Sequence, residues 1–93
     1  MGVREREAAY ELVAASQTAQ VLGPAGGPGD ILKRVIVTAS TGTTTILDGA
    51  VTILVIPAAV AVGSVFEIGA ACVTNWNITT AAATSVMCVG DFT

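Results

Sequence analysis

Histidine is absent from this 93-residue chain, which has only two cysteines and four aromatic residues. Without an imidazole, a catalytic cysteine has no ordinary general base beside it. The usual nitrogen and sulfur ligand sets for zinc are nearly excluded as well. Positive charge is scarce too. There are four Lys and Arg residues against seven Asp and Glu, for a net charge of -3, which argues against a nucleic-acid partner held by phosphate contacts. From Val35 to Thr93 there is no cation at all, and the only charges are Asp48, Glu67 and Asp91. Composition therefore points to no reaction, no cofactor and no metal.

What is abundant is apolar residue. The chain is 53% hydrophobic and 12% charged, far from the average of roughly 45–50% apolar and 25% charged. Such a composition excludes intrinsic disorder of the whole chain. A domain of this size buries only about 60% of the surface it exposes when unfolded, so much of its uncharged surface is expected to be covered by other subunits, with threonine-rich faces left in water. The eighteen residues Gly49 to Phe66 carry no charge and reach the length of a membrane-spanning candidate. Pro57 interrupts them and strand patterns flank them, so no spanning helix is expected. The N-terminus opens with charges of both signs and shows no secretory signal, so synthesis in the cytoplasm is expected.

Charge crowds the first eleven residues, in Arg4, Glu5, Arg6, Glu7 and Glu11, with Tyr10 among them. Residues Arg4 to Ala15 suit either a short amphipathic helix, with Ala8, Leu12 and Ala15 at helical spacing, or an extended arm that orders on a partner. Residues 1–22 are accordingly expected to form an N-terminal arm that includes a possible first strand. Six of the seven residues from Gly23 to Gly29 are Gly or Pro, which neither helix nor sheet tolerates. That stretch is expected to be a hinge or wrapped loop between arm and body.

From Asp30 onward the pattern is β. Ile31 to Thr38 has apolar residues on both faces, as a strand buried on both sides would, with Ile36 in the core. Thr43 to Leu47 and Ala50 to Ile56 flank Asp48-Gly49, a hairpin signal for a type I′ turn. In that register Leu47 faces Ala50 and Ile46 faces Val51. Ile46, Val51, Ile53 and Val55 then form a core face. Val65 to Val73 places Phe66, Ile68, Ala70 and Cys72 together, with Glu67 outside. Trp76 to Thr80 alternates again, and Ser85 to Phe92 gathers Val86, Cys88, Gly90 and Phe92. About seven or eight short antiparallel strands, with turns every eight to twelve residues, predict an all-β domain, a small β-sandwich or jelly roll spanning residues 30–93.

Particular residues carry candidate chemistry, and each has an ordinary explanation. Cys72 and Cys88 fall on inward faces, where they are either buried free thiols or a disulfide if their strands are neighbours; the free thiols are favoured. Asp30, Asp48, Glu67 and Asp91 are too scattered for a hard-cation loop. The Gly/Pro stretch lacks the Lys-Ser/Thr of a phosphate loop. Trp76, the only Trp, with Asn75 and Asn77 beside it, is a candidate sugar-stacking site, although a Trp in an alternating strand is more often core.

The run Ala14-Ala15-Ser16-Gln17-Thr18-Ala19-Gln20-Val21-Leu22-Gly23, the loop to Gly29-Asp30, the strand Ile31 to Thr38, the Asp48-Gly49 hairpin and the closing Gly90-Asp91-Phe92 together resemble small virion proteins of tailed bacteriophages. The likeness covers about Ala14 to Phe92 and is one of texture and segment order. It implies a non-enzymatic capsid cement or decoration protein, often a homotrimer, on the outer surface of the virion. Its N-terminal arm, carrying Arg4, Glu5, Arg6, Glu7, Tyr10 and Glu11, would lie across the major capsid protein. Nucleic-acid and membrane partners are not implied. A tail or head-fibre module that binds a host glycan fits the same residues less well.

Overall fold

The computed structural model describes residues 9–93, which form eight strands and no helix. They are β1 (Ala9–Val13), β2 (Gln20–Val21), β3 (Ile31–Ser40), β4 (Thr44–Asp48), β5 (Val51–Ile56), β6 (Val65–Ala71), β7 (Trp76–Thr80) and β8 (Thr84–Asp91). Antiparallel pairing is nested: β1 with β8, β2 with β7, β3 with β6, and β4 with β5. Rolling that long ribbon adds the pairs β3 with β8 and β4 with β7. Two four-stranded sheets result, sheet A in the order β1-β8-β3-β6 and sheet B in the order β2-β7-β4-β5. This is the eight-stranded jelly roll, the architecture in which two Greek keys close over one core.

The core lies between the sheets. Sheet A sends in Val13, Leu32, Val35, Val37, Val86 and Cys88, and sheet B sends in Ile46, Ile56, Trp76 and Ile78. Leu22, Cys72 and Phe92 close the ends, and Leu54, Phe66 and Ile68 pack against the cluster half-buried. The expected core positions Ile46, Cys72, Val86, Cys88 and Phe92 are therefore buried.

Four expected core positions face outward. On β5, Val51, Ile53 and Val55 are 62%, 45% and 50% exposed. The hairpin turns at Gly49-Ala50, one residue later than expected, so that Asp48 pairs with Val51. That shift alone would leave odd-numbered residues opposite Ile46. The face is reversed by a bulge: Leu47 pairs with Thr52 and Ile46 with Leu54, leaving Ile53 as the extra residue. One extra residue exchanges every side chain beyond it between core and solvent, which turns Leu54 and Ile56 inward. On β3 the register shifts between Leu32 and Arg34. Val35 and Val37 are consequently buried, while Ile36 is half-buried on the opposite face, and β3 is covered on one side only.

The turn differs in type as well as in place. Gly49 has φ +62° whereas Ala50 does not adopt positive φ, the pattern of a type II′ turn with glycine in its first central position. A side chain at Gly49 would also approach Thr74 to 3.0 Å. Asp48, displaced from the turn into the strand, accepts hydrogen bonds from the Val73 and Thr74 amides at 2.9 Å each. Those bonds favour its carboxylate and lower its pKa below the ordinary 3.8. A carboxyl depressed in the folded state stabilises the fold above its unfolded pKa, and the contribution is lost as pH falls through the lower folded value.

Of the residues expected to form an arm, the described ones, Ala9 to Leu22, belong to the body. Ala9–Val13 pairs along β8 as an edge strand of sheet A, not as part of a helix. Its alternation explains why: Tyr10 and Leu12 face out while Val13 is fully buried, a period of two that a helix cannot satisfy. Gln20–Val21 pairs with β7, and Leu22 is in the core. The Gly/Pro stretch is a wrapped connection, not a boundary. Ala25 and Gly26 both donate to the Thr93 carbonyl, at 2.7 and 2.8 Å, and Gly29 donates to the Cys72 carbonyl at 3.0 Å.

Candidate interaction surface

Register across sheet A lines up side chains from four distant parts of the chain. Leu12 stands opposite Met87, Met87 opposite Ile36, and Ile36 opposite Val65. This row crosses the whole sheet on the face turned away from the core. The neighbouring row runs Tyr10, Val89, Arg34 and Glu67. Tyr10 is 67% and Leu12 60% exposed, whereas Ile36, Met87 and Val89 are half-buried by their neighbours. Six apolar or aromatic side chains thus form a continuous outer surface. Contiguous apolar patches of this kind on a small domain mark interaction sites.

Charge borders this surface at one end. Arg34 Nε lies 3.3 Å from Glu67 Oε2, an exposed pair expected to contribute about 0–1 kcal/mol. Lys33 and Asp91 stand nearby, and neither makes an ion pair among the described residues. At the other end an open apolar groove of about 360 Å³ is lined by Leu12, Val13, Ala14, Thr38, Ser85 and Val86. The Thr38 and Ser85 hydroxyls bond to each other at 2.7 Å. The outer face of sheet B is more mixed, because Val55 is followed across the strands by Thr45 and Thr79.

The residues expected to touch a capsid are divided. Arg4, Glu5, Arg6 and Glu7 lie outside the described residues. Tyr10 is on the apolar outer face. Glu11 faces the other way and is engaged within the fold: its Oε1 accepts from the Gly23 amide at 2.7 Å and its Oε2 from Gln20 Nε2 at 2.9 Å. It ties β1 to the segment that leads into the Gly/Pro loop.

The candidate sugar site at Trp76 is not on the surface. Trp76 is 2% exposed, and its Nε1 donates to the Asp30 carbonyl at 2.9 Å. Asn77 is also buried and donates to the Gly49 carbonyl at 3.1 Å and to Asn75 Oδ1 at 3.0 Å. A sugar has no indole face to stack on. Asp30 is buried as well, and its carboxylate accepts from the Thr93 amide at 3.0 Å and the Thr93 hydroxyl at 2.7 Å. It pins the last residue to the loop end.

Both cysteines are buried free thiols. Cys88 lies on β8 and Cys72 just beyond β6, and β3 runs between those strands, so the condition for a disulfide between neighbouring strands is not met. Burial, with the nearby Glu11 charge, pushes the Cys88 thiol up to about 12; a thiol held protonated in this way is a poor nucleophile. Among the described residues no three His, Cys, Asp or Glu side chains cluster as metal ligands, and no helix is long and apolar enough to cross a membrane.

Sequence reasoning missed the outer face of sheet A. The signal was in the alternate positions of strands assigned from their inward residues: Met87 and Val89 between Val86, Cys88 and Gly90, and Tyr10 and Leu12 beside Glu11 and Val13. No family model matches this chain, and no curated protein or solved structure matches it.

Proposed function

We propose that this protein is a non-enzymatic structural subunit of a tailed-phage virion, a cement protein that self-associates and binds the outer surface of the capsid lattice. The observation that carries the reading is the four-strand apolar face of sheet A, a broad surface suited to another protein and poorly suited to a small substrate. Two further features support it. The segment order resembles that of small virion proteins, and the jelly roll recurs in viral capsid domains, although it serves lectins too and fold alone assigns no function. The mechanism is mass action. A protein that binds only the assembled lattice stabilises it by its binding free energy, and several linked copies add avidity. In this reading the charged segment with Arg4, Glu5, Arg6 and Glu7 supplies directional contacts to the shell.

The reading is tested by co-sedimentation with empty mature heads of the parent phage that lack the chain. The full chain is expected to pellet with the heads in a saturable way and to raise their melting temperature. Removing Met1 to Ala8, which leaves every described strand in place, is expected to abolish pelleting while the far-UV spectrum stays β-type. Full binding by this truncated chain would remove the charged segment from the account. No binding by either chain would remove the capsid.

A further inference from the structure

We propose that the outer face of sheet A docks against the same face of a second copy of this chain, about a two-fold axis that lies in the interface, parallel to the strands, between β8 and β3. The inference rests on the self-association in the proposed function and is independent of its virion assignment.

The register dictates what such an axis brings together. It lays β8 over β3 of the second copy and β1 over its β6, because the sheet order is β1-β8-β3-β6. Met87 then meets Ile36 and Leu12 meets Val65, so the apolar row meets itself along its whole length. Isologous contacts require this kind of self-complementarity. In the next row Tyr10 meets Glu67, a phenol donor against a carboxylate acceptor, and Val89 lies over the alkyl stem of Arg34.

The charges fit the same operation. Asp91 pairs with Ile31 within its own sheet, so the axis sets Asp91 over Ile31 of the second copy, beside Lys33. These are the cation and the acid on this face that are unpaired among the described residues, and the axis creates two such opposite-charge contacts per dimer. The face carries Lys33 and Arg34 against Glu67 and Asp91, which leaves it no net sign with which to select a partner of opposite charge. A copy of itself is the complement. The face spans all four strands of sheet A, and a standard interface buries ~800 Å² per partner. Aligned sheets would stack about 10 Å apart, as in any sandwich.

Light scattering and sedimentation equilibrium across a dilution series test the proposal with the full chain. The parent is expected to be a reversible dimer or an even-numbered assembly built from dimers; a three-fold particle would need a second, different contact. Leu12→Glu, at a position 60% exposed and so outside the core, should weaken the dimer about 100-fold, and Asp91→Lys about tenfold. The double variant Asp91→Lys with Lys33→Asp should recover most of the second loss, a result that unfolding cannot imitate. A parent that is monomeric at every concentration overturns the proposal. So does an oligomer unaffected by Leu12→Glu, or a double variant no tighter than Asp91→Lys alone. If the parent is monomeric and Leu12→Glu abolishes co-sedimentation with heads, the face docks on the shell; the two-fold contact and the self-association are then wrong while binding to the capsid stands.

Discussion

Removing Met1 to Ala15 is expected to leave a chain that does not fold at 25 °C. The deletion takes away β1, an edge strand of sheet A but one that the sheet depends on. Val13 is fully buried in the core, and losing its side chain costs about 1.5–3 kcal/mol. The ladder from Ala9 to Val13 along β8 goes with it, at about 1 kcal/mol for each hydrogen bond. Glu11 no longer holds Gly23 and Gln20, and the Thr80 hydroxyl loses the Ala14 carbonyl to which it donates at 2.6 Å. Together these amount to roughly 5 kcal/mol or more, against a total stability of about 5–15 kcal/mol for a domain of this kind. Deletion also leaves β8 as an unprotected sheet edge, which favours aggregation. Circular dichroism and a thermal melt decide the matter: a cooperative melt within a few degrees of the parent would show that β1 is dispensable.

Trp76→Ala should be the most damaging single substitution, lowering stability by about 3–5 kcal/mol. The indole fills the space between the sheets at 2% exposure and is fixed by its bond to the Asp30 carbonyl. Trp76→Phe separates the two contributions. It keeps most of the apolar volume and removes the donor, and the Asp30 carbonyl still accepts from the Cys72 amide at 2.9 Å. No buried acceptor is orphaned, so the cost should be nearer 1–2 kcal/mol. At about 4–8 °C per kcal/mol for a domain of this length, thermal melts resolve the two variants easily. Equal, small losses for both would mean that Trp76 lies at the surface.

The strands were legible because alternation and turn residues are local signals. Trp76–Thr80 begins and ends where its alternation does, and β3, β4, β5, β6 and β8 lie within a residue or two of expectation. Gln20–Val21 was not foreseen as a separate strand, since two residues carry no period. The arm was misjudged for a different reason: Ala8, Leu12 and Ala15 fit a helix as sequence, and only the free side of β8 makes the period-two reading of Tyr10 to Val13 the stable one. The bulges did the most damage to the core assignment. A single extra residue at Ile53 leaves no mark in composition yet turns Val55 outward and Leu54 and Ile56 inward, while Val51, on the turn side of it, is exposed at the end of the hairpin. The interaction surface was hidden because Leu12, Ile36, Val65 and Met87 are brought together only by the rolled topology.

The central claim, that the outer face of sheet A is where this protein meets another protein, is tested most directly by hydroxyl-radical footprinting of the assembled chain against the same chain dissociated by dilution. The account predicts that Tyr10, Leu12 and Met87 become protected on assembly, while Val51, Ile53 and Val55 on sheet B react equally in both states. Unchanged reactivity at Tyr10 and Met87, with protection on β5 instead, would contradict it and place the interface on the opposite sheet.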